Sequence, residues 1–223
     1  MHIREAVASR HSTRAFLPRP VERDTICRVL TLAARSPSGG NLQPWHIDVV
    51  AGDALASLKV RMRDRLAQGG DPEPTDYDIY PPSLRSPWRD RRFQVGEAMY
   101  ARLDIPRDDK AARRRWFARN FDFFGAPLAL FCSVDRAMGR PQWSDLGMYL
   151  QTVMLLLRGE GLDSCAQECW AIYPQTVAKA IDLPPERMLF CGMSIGHRDP
   201  DHPLNAFVSD RAPAEEWLSF RGI

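Results

Sequence analysis

The chain of 223 residues reads as an α+β protein, a central sheet wrapped by helices. Three observations predict it. Segments with the helical repeat outnumber the strand-like ones. The strand-like segments are short and scattered rather than alternating regularly with helices. One long helical stretch, 142–161, is apolar on more than one side, which suits the middle of a core or a subunit interface.

Residues 2–9 open the chain as a short helix. In RDTICRVLTLAARS (23–36), Ile26, Val29, Leu30 and Ala33 recur at the spacing of an amphipathic helix, which Pro37 stops. WHIDVV (45–50) sets Ile47 and Val49 in opposite phase to His46 and Asp48, a strand. ALASLKVRMRDRLA (54–67) is a second amphipathic helix. Residues 68–92 carry five prolines and two glycines and read as a long loop or lid, of the kind that is functional or disordered. Two helices follow, near 93–103 and 108–121. PLALFCSV (127–134) is a buried strand. In 142–161, Leu146, Tyr149, Leu150, Val153, Met154 and Leu157 form one stripe, while Leu155 and Leu156 add apolar surface elsewhere. A short strand near 163–168, a helix near 174–181 and the strand RMLFCGMSIG (187–196) follow. Residues 197–223 have little core of their own and read as a tail that docks on something else, such as a partner subunit. Without repeats or a low-complexity linker, 1–223 reads as one domain, with a lid or insert at about 68–125.

Composition narrows the function. At 44% hydrophobic and 26% charged the chain is globular, and a net charge of +2 argues against a protein built to bind nucleic acid. No apolar run approaches the roughly 20 residues of a membrane span. The start MHIREAVASR lacks the apolar stretch of a secretory signal, and five cysteines, an odd number, suggest a reduced, cytoplasmic protein. His46, His197 and His202 show no metal-ligand spacing. Neither a G-x-G-x-x-G nor a Walker pattern nor a nucleophile elbow is present. Arginines gather in RMRDR (61–65), RSPWRDRR (85–92) and ARRRWFAR (112–119), either as solvated helix faces or as an anion-attracting surface over a pocket.

Two stretches are rich in donors. RHSTRAF (10–16) sets Arg10, Ser12 and Arg14 close together beside His11, the donor types that hold a phosphate monoester. Arg10 reads equally as a cation at a helix C-terminus. SPSGGNLQPWH (36–46) joins a helix to a strand with two glycines, Ser38, Asn41 and Gln43. In YPPSLRSPWRDRR (80–92), Tyr80 and Trp88 lie among Arg85, Arg89, Arg91 and Arg92, with one acid, Asp90. An aromatic there can wall a flat ring and an arginine can hold a carboxylate or phenolate, so the lid predicts a preference for anionic aromatic substrates. The alternative is that these arginines pair with Asp76, Asp78, Asp90 or Glu97 and pin the lid.

Taken together, RHSTRAF, PSGGNLQPWH, GLDSCAQECW (161–170) and CGMSIGHRD…NAFVSDRAP, in this order, resemble the FMN-dependent nitroreductase family, in its nitrobenzoate-reductase-like branch. The resemblance implies a central mixed or antiparallel sheet in an intertwined homodimer. It implies FMN as cofactor, NADH or NADPH as electron donor, ping-pong reduction of a small nitroaromatic, and no side-chain acid or nucleophile. It assigns Arg10, His11, Ser12 and Arg14 to the FMN phosphate, and Arg211 to the same group. Pro37, Ser38, Gly39 and Asn41 would reach the FMN of the other protomer. Ala166, Gln167 and Glu168 would lie along the isoalloxazine ring. Tyr80, Arg85, Trp88 and Arg89 would be the substrate side of the lid. The chain departs from the family pattern at Cys169, where relatives have glycine, and at Ser209, where close relatives have lysine. Reductive dehalogenation and enone or quinone reduction are rival activities of the same fold. A flavin-free, arginine-rich binding module is the rival of a different class.

Overall fold

A computed structural model describes residues 1–222. Helix α1 (Ile3–Ser9) starts on His2, whose ring accepts from Arg4 N at 3.2 Å while Glu5 closes the box onto His2 N at 3.0 Å. Then come α2 (Arg23–Ala33), β1 (His46–Ala51), α3 (Gly52–Ala67), α4 (Trp88–Ala101) and α5 (Lys110–Ala118). A 3-10 turn (Arg119–Gly125) leads into β2 (Leu128–Asp135), α6 (Arg140–Gly159), β3 (Asp163–Gln167), α7 (Pro174–Ile181) and β4 (Arg187–Gly196).

The four strands form one sheet in the order β1-β2-β4-β3, every pairing antiparallel. The α+β expectation and all its helices and strands hold. The parallel component lies outside the four strands, where Ser12 bridges Ser164 of β3. β2 is central and buried along nearly all its length. Its two faces seed two cores. Leu128, Leu130, Cys132 and Val134 pack with the inner faces of α2 and α6, including Val29, Tyr149 and Val153. Ala129 and Phe131 pack with Leu58 and Met62 of α3 and with the aromatic group Phe121, Phe123 and Trp170.

Two boundaries and the burial phase of one strand differ from expectation. Helix α3 begins at Gly52, directly after β1, where a φ of +56° turns the chain at a residue without Cβ. The loop ends at Pro87, because 88–92 already belongs to α4. In β1, Val49 is 42% exposed and Val50 is the buried residue. β1 is an edge strand, and Val49, opposite the buried Leu130 of β2, lies at the margin of the core. The expected α6 stripe faces the core, while Met148 stands out of it, 39% exposed.

Two glycines of β4, Gly192 and Gly196, are required by contact, Gly192 the more tightly. A Cβ on Gly192 of β4 would sit 2.5 Å from Cδ1 of Trp170, which is fully buried and stacked on Phe123 at 4.6 Å. Gly192→Ala must displace that indole, and we expect a loss of about 1–3 kcal/mol, the cost of overpacking a closed core. Urea denaturation checks this; an unchanged midpoint would mean that Trp170 yields without cost.

Candidate functional site

After α1 the chain runs extended beside β3. Thr13 N donates to Ser164 O at 3.0 Å, and Phe16 bridges Arg198 beyond β4. The two-residue period of an extended chain then divides the segment. Thr13 and Ala15 are buried, whereas Arg10, Ser12 and Arg14 stay half-open; at Phe16, buried as well, the alternation ends. Asn205 locks the segment: its Oδ1 accepts from Arg14 N at 2.9 Å and its Nδ2 donates to the carbonyls of Ala15 and Asp199, both at 2.8 Å.

Beneath the segment lies a buried carboxylate held by two arginines. Asp163 accepts from Arg158 at 2.7 Å and from Arg198 at 3.0 Å, and Arg158 also donates to Ser9 Oγ at 3.3 Å. Arg10 and Arg14, by contrast, have no carboxylate within ion-pair distance among the described residues. Burial pushes the Cys165 thiol up, while Arg14, a hydrogen bond from Ser12 and Arg10 pull it back. Three of the expected phosphate-holding residues therefore gather around the middle of β3. His11 Nε2 and Thr13 Oγ1 are buried there without a hydrogen-bond partner, and desolvation holds the His11 imidazole below its ordinary pKa.

Arg14 opens onto a cleft of about 830 Å³ that Ala166, Gln167 and Glu168 also line. The Gln167 amide is committed inward: it accepts from Ser194 Oγ at 2.6 Å and donates to Asn120 O at 2.7 Å. What Gln167 offers the cleft is its backbone. Desolvation raises the Glu168 carboxyl above its ordinary pKa, and burial raises the Cys169 thiol, so Cys169 is an inert thiol at the cleft wall.

The far wall comes from the lid. Tyr80 and Arg89 line the cleft as expected, but Arg85 and the 53% exposed Trp88 do not. Because α4 starts at Trp88, the helical repeat puts Arg89 and Arg92, three residues apart, on its cleft side while Trp88 points away. The Arg92 guanidinium sits 4.0 Å over the Tyr80 ring. Trp116, Phe124 and Phe207 complete the wall. Trp116 lies in the run ARRRWFAR, whose aromatic pair was the signal to notice. α4 buries none of its residues and is fastened at its margins. Glu97 takes both arms of Arg113 at 2.5 and 3.0 Å, Arg102 lies over Phe207 at 4.8 Å, and Arg91 pairs with Glu216 of the tail. Of the expected pinning pairs, Asp90 with Arg89 forms at 3.2 Å, whereas Asp76 pairs instead with Arg136 at 2.5 Å and Glu97 with Arg113.

Two expected groups lie elsewhere. Arg211 turns back on its own loop, donating to Ser209 O at 2.9 Å and Ser209 Oγ at 2.8 Å, beside a neighbouring cavity of about 710 Å³. Pro37, Ser38, Gly39 and Asn41 are on the α6 side, outside the cleft of their own chain. Gly39 N donates to the buried Asp145 carboxylate at 3.3 Å, and Gln43 N donates to Ser38 Oγ at 2.9 Å. Gly40 and Asn41 both take φ of +57°, a left-handed turn that is strained at the asparagine.

Comparison with known proteins gives a consistent picture. Residues 7–197 match the model of the Nitroreductase family. A 4-nitrobenzoate reductase of Pseudomonas putida is 34% identical over 217 residues, 97% of this chain and 94% of that protein. A nitrobenzene nitroreductase of Ectopseudomonas oleovorans is 32% identical, over 98% of this chain and 96% of its own. Among solved structures, the FMN and NADPH-dependent nitroreductase NfnB from Sphigopyxis sp. strain HMH superposes with a TM-score of 0.97 at 46% identity, over the full length of both chains.

Removing the central carboxylate tests the site's foundation. Asp163→Ala leaves Arg158 and Arg198 facing each other, and we expect a loss of about 3–5 kcal/mol, as for other broken buried ion pairs. Chemical denaturation measures it; a loss below about 1 kcal/mol would place the pair among surface contacts.

Proposed function

Since the chain belongs to the nitroreductase family, we propose that it is an FMN-dependent oxidoreductase that uses NADH or NADPH to reduce nitroaromatic compounds, anionic ones such as nitrobenzoates in preference to neutral ones. The observation that carries this reading is a single cleft that joins the unpaired Arg14 and the Ala166–Glu168 backbone to the lid residues Tyr80, Arg89 and Arg92. The 4-nitrobenzoate reductase relative supports the substrate class, and the NADPH dependence of the similar Sphigopyxis enzyme favours NADPH as donor. Family membership removes the flavin-free binding module.

The residues present fit FMN. Two guanidinium groups without carboxylate partners, beside the orphaned His11 Nε2 and Thr13 Oγ1, leave donor capacity for a phosphate dianion. When bound, FMN supplies the two-electron chemistry between the nicotinamide and the nitro group. Arg10, Ser12 and Arg14 hold the phosphate. The backbone of Ala166–Glu168 lines one edge of the ring site, and Trp116 and Phe124 exclude water from it. Residues 68–125 act as a lid on the domain, and Arg92 with Arg89 orients a substrate carboxylate.

The working unit is a homodimer in the cytoplasm. Ile3, Val7, Leu32 and Met148 expose apolar surface on α1, α2 and α6, as do Trp217 and Phe220 on the tail, and a symmetric interface would bury them. The 37–41 loop, turned away from its own cleft, then reaches the partner's FMN. Five free cysteines fit a reducing compartment.

Arg10→Ala and Arg14→Ala should each weaken FMN binding by about 1.5–3 kcal/mol, the range for hydrogen bonds to a charged group. Fluorescence titration of flavin into the apoprotein measures it, and wild-type affinity in both variants would overturn the phosphate assignment. For selectivity, kcat/KM for nitrobenzoate should exceed that for nitrobenzene about tenfold, about 1.4 kcal/mol, and Arg92→Gln should erase most of the difference. Equal rates on both substrates in the unaltered enzyme would leave the lid arginines structural.

A further inference from the structure

The arginine runs at 61–65 and 112–119 meet in space. Arg63 of α3 joins Arg115 of α5 and Arg119 after it at the rim of a separate cavity of about 380 Å³, with Lys59 on its wall. Leu66 and Phe121 form apolar wall, and Asp122 is the only carboxylate lining it. Trp116 and Asn120, on the other side of the same segment, line the cleft. The two cavities therefore stand back to back.

The charges around the small cavity are not satisfied from within. The Lys59 side chain is 17% exposed and donates to Ala126 O at 2.9 Å, which uses one of its three protons. Its nearest carboxylate oxygen, on Asp122, is 3.9 Å away, beyond hydrogen-bond reach. Asp122 must also serve Arg119, at 3.8 Å. Arg63 and Arg115 have no carboxylate within ion-pair distance among the described residues. Burial and Arg119 hold the Lys59 ammonium below its ordinary pKa, with Asp122 pulling the other way. Four cations against one carboxylate make a concave, positive site whose repulsion an anion would relieve.

Shape sets the rest of the ligand. Arg63, Arg115 and Arg119 are exposed at the rim of a half-open hollow rather than along a convex face, and a polyanion needs an extended stripe. This cavity is at the small end of ligand pockets, with hydrocarbon wall between the cations. We propose that it binds a small organic anion, a carboxylate or phosphate monoester carried on an apolar body, at a site separate from the cleft. The proposal goes beyond the reductase reading and does not depend on it.

The test is calorimetric titration of the flavin-loaded protein with phenyl phosphate and with hexanoate, each with and without saturating nitrobenzene, a neutral occupant of the cleft. Saturable binding of at least one of them, unaffected by nitrobenzene, is expected; which one binds identifies phosphate or carboxylate as the preferred head group. Arg63→Glu with Arg115→Glu should weaken that binding about tenfold or more while KM for nitrobenzoate stays within about twofold. Should the double charge reversal fail to fold, Arg63→Gln with Arg115→Gln serves, with the same direction expected. No heat with either probe, binding that survives both pairs of substitutions, or binding abolished by nitrobenzene would overturn the proposal, the last because the anion would then sit in the cleft.

Discussion

The site hangs on the Asp163 carboxylate. A buried carboxylate is tolerable only when its charge is met, and here Arg158 and Arg198 meet it from two directions. Arg158 belongs to the end of α6, Arg198 to the chain leaving β4, and Asp163 to the start of β3, so one group fixes three elements. Through Ser9 the same arginine fixes the end of α1. The segment after α1 is then positioned before any ligand is considered: residues 10–16 run alongside β3, and their alternation turns three donors toward open space. Ion pairing inside the protein thereby leaves a different pair of arginines unpaired beside it. The two kinds of arginine are chemically identical and differ only in whether the fold supplies a carboxylate.

The opposite wall obeys another rule. Two cores are complete without α4, which rests on guanidinium contacts to Glu97, Phe207 and Glu216. Such contacts contribute little individually and weaken with salt. The stretch leading to the lid is fastened better. Glu73 accepts from the N–H groups of Gln175 and Thr176, at 2.7 and 3.1 Å, so it caps α7. Tyr77 is half-buried between Trp143 and Phe190. The cleft thus has one rigid wall built on the sheet and one loosely held wall, whose mobility would begin beyond Tyr77.

The fold was legible because its signals are local: the helical stripe of 142–161, the alternation of 45–50 and the apolar run of 127–134 each depend on near neighbours in sequence. Legibility failed where a residue's setting is decided at a distance. Val49 fits a strand face, but only sheet order reveals that β1 is an edge. Asn205 carries no local mark, since its partners Arg14 and Ala15 lie at the other end of the chain. Arg92 and Arg85 look alike in RSPWRDRR until the start of α4 fixes which one faces the cleft. Trp116 sat inside a run that reads as a solvated face, and only half of that run is one.

The lid helix has a consequence for how such an enzyme can change. All fourteen residues of α4 remain outside the core. Substitutions on a surface of this kind typically shift stability by no more than about 0.5 kcal/mol in either direction. Arg92 and its neighbours can therefore be replaced, one after another, without approaching the threshold at which the fold is lost. The wall proposed to select the substrate is also the wall on which replacement costs least. On that reading, new substrate ranges are accessible from this scaffold by small sequence steps, while the sheet and the arginine-held carboxylate beneath the proposed cofactor site stay as they are.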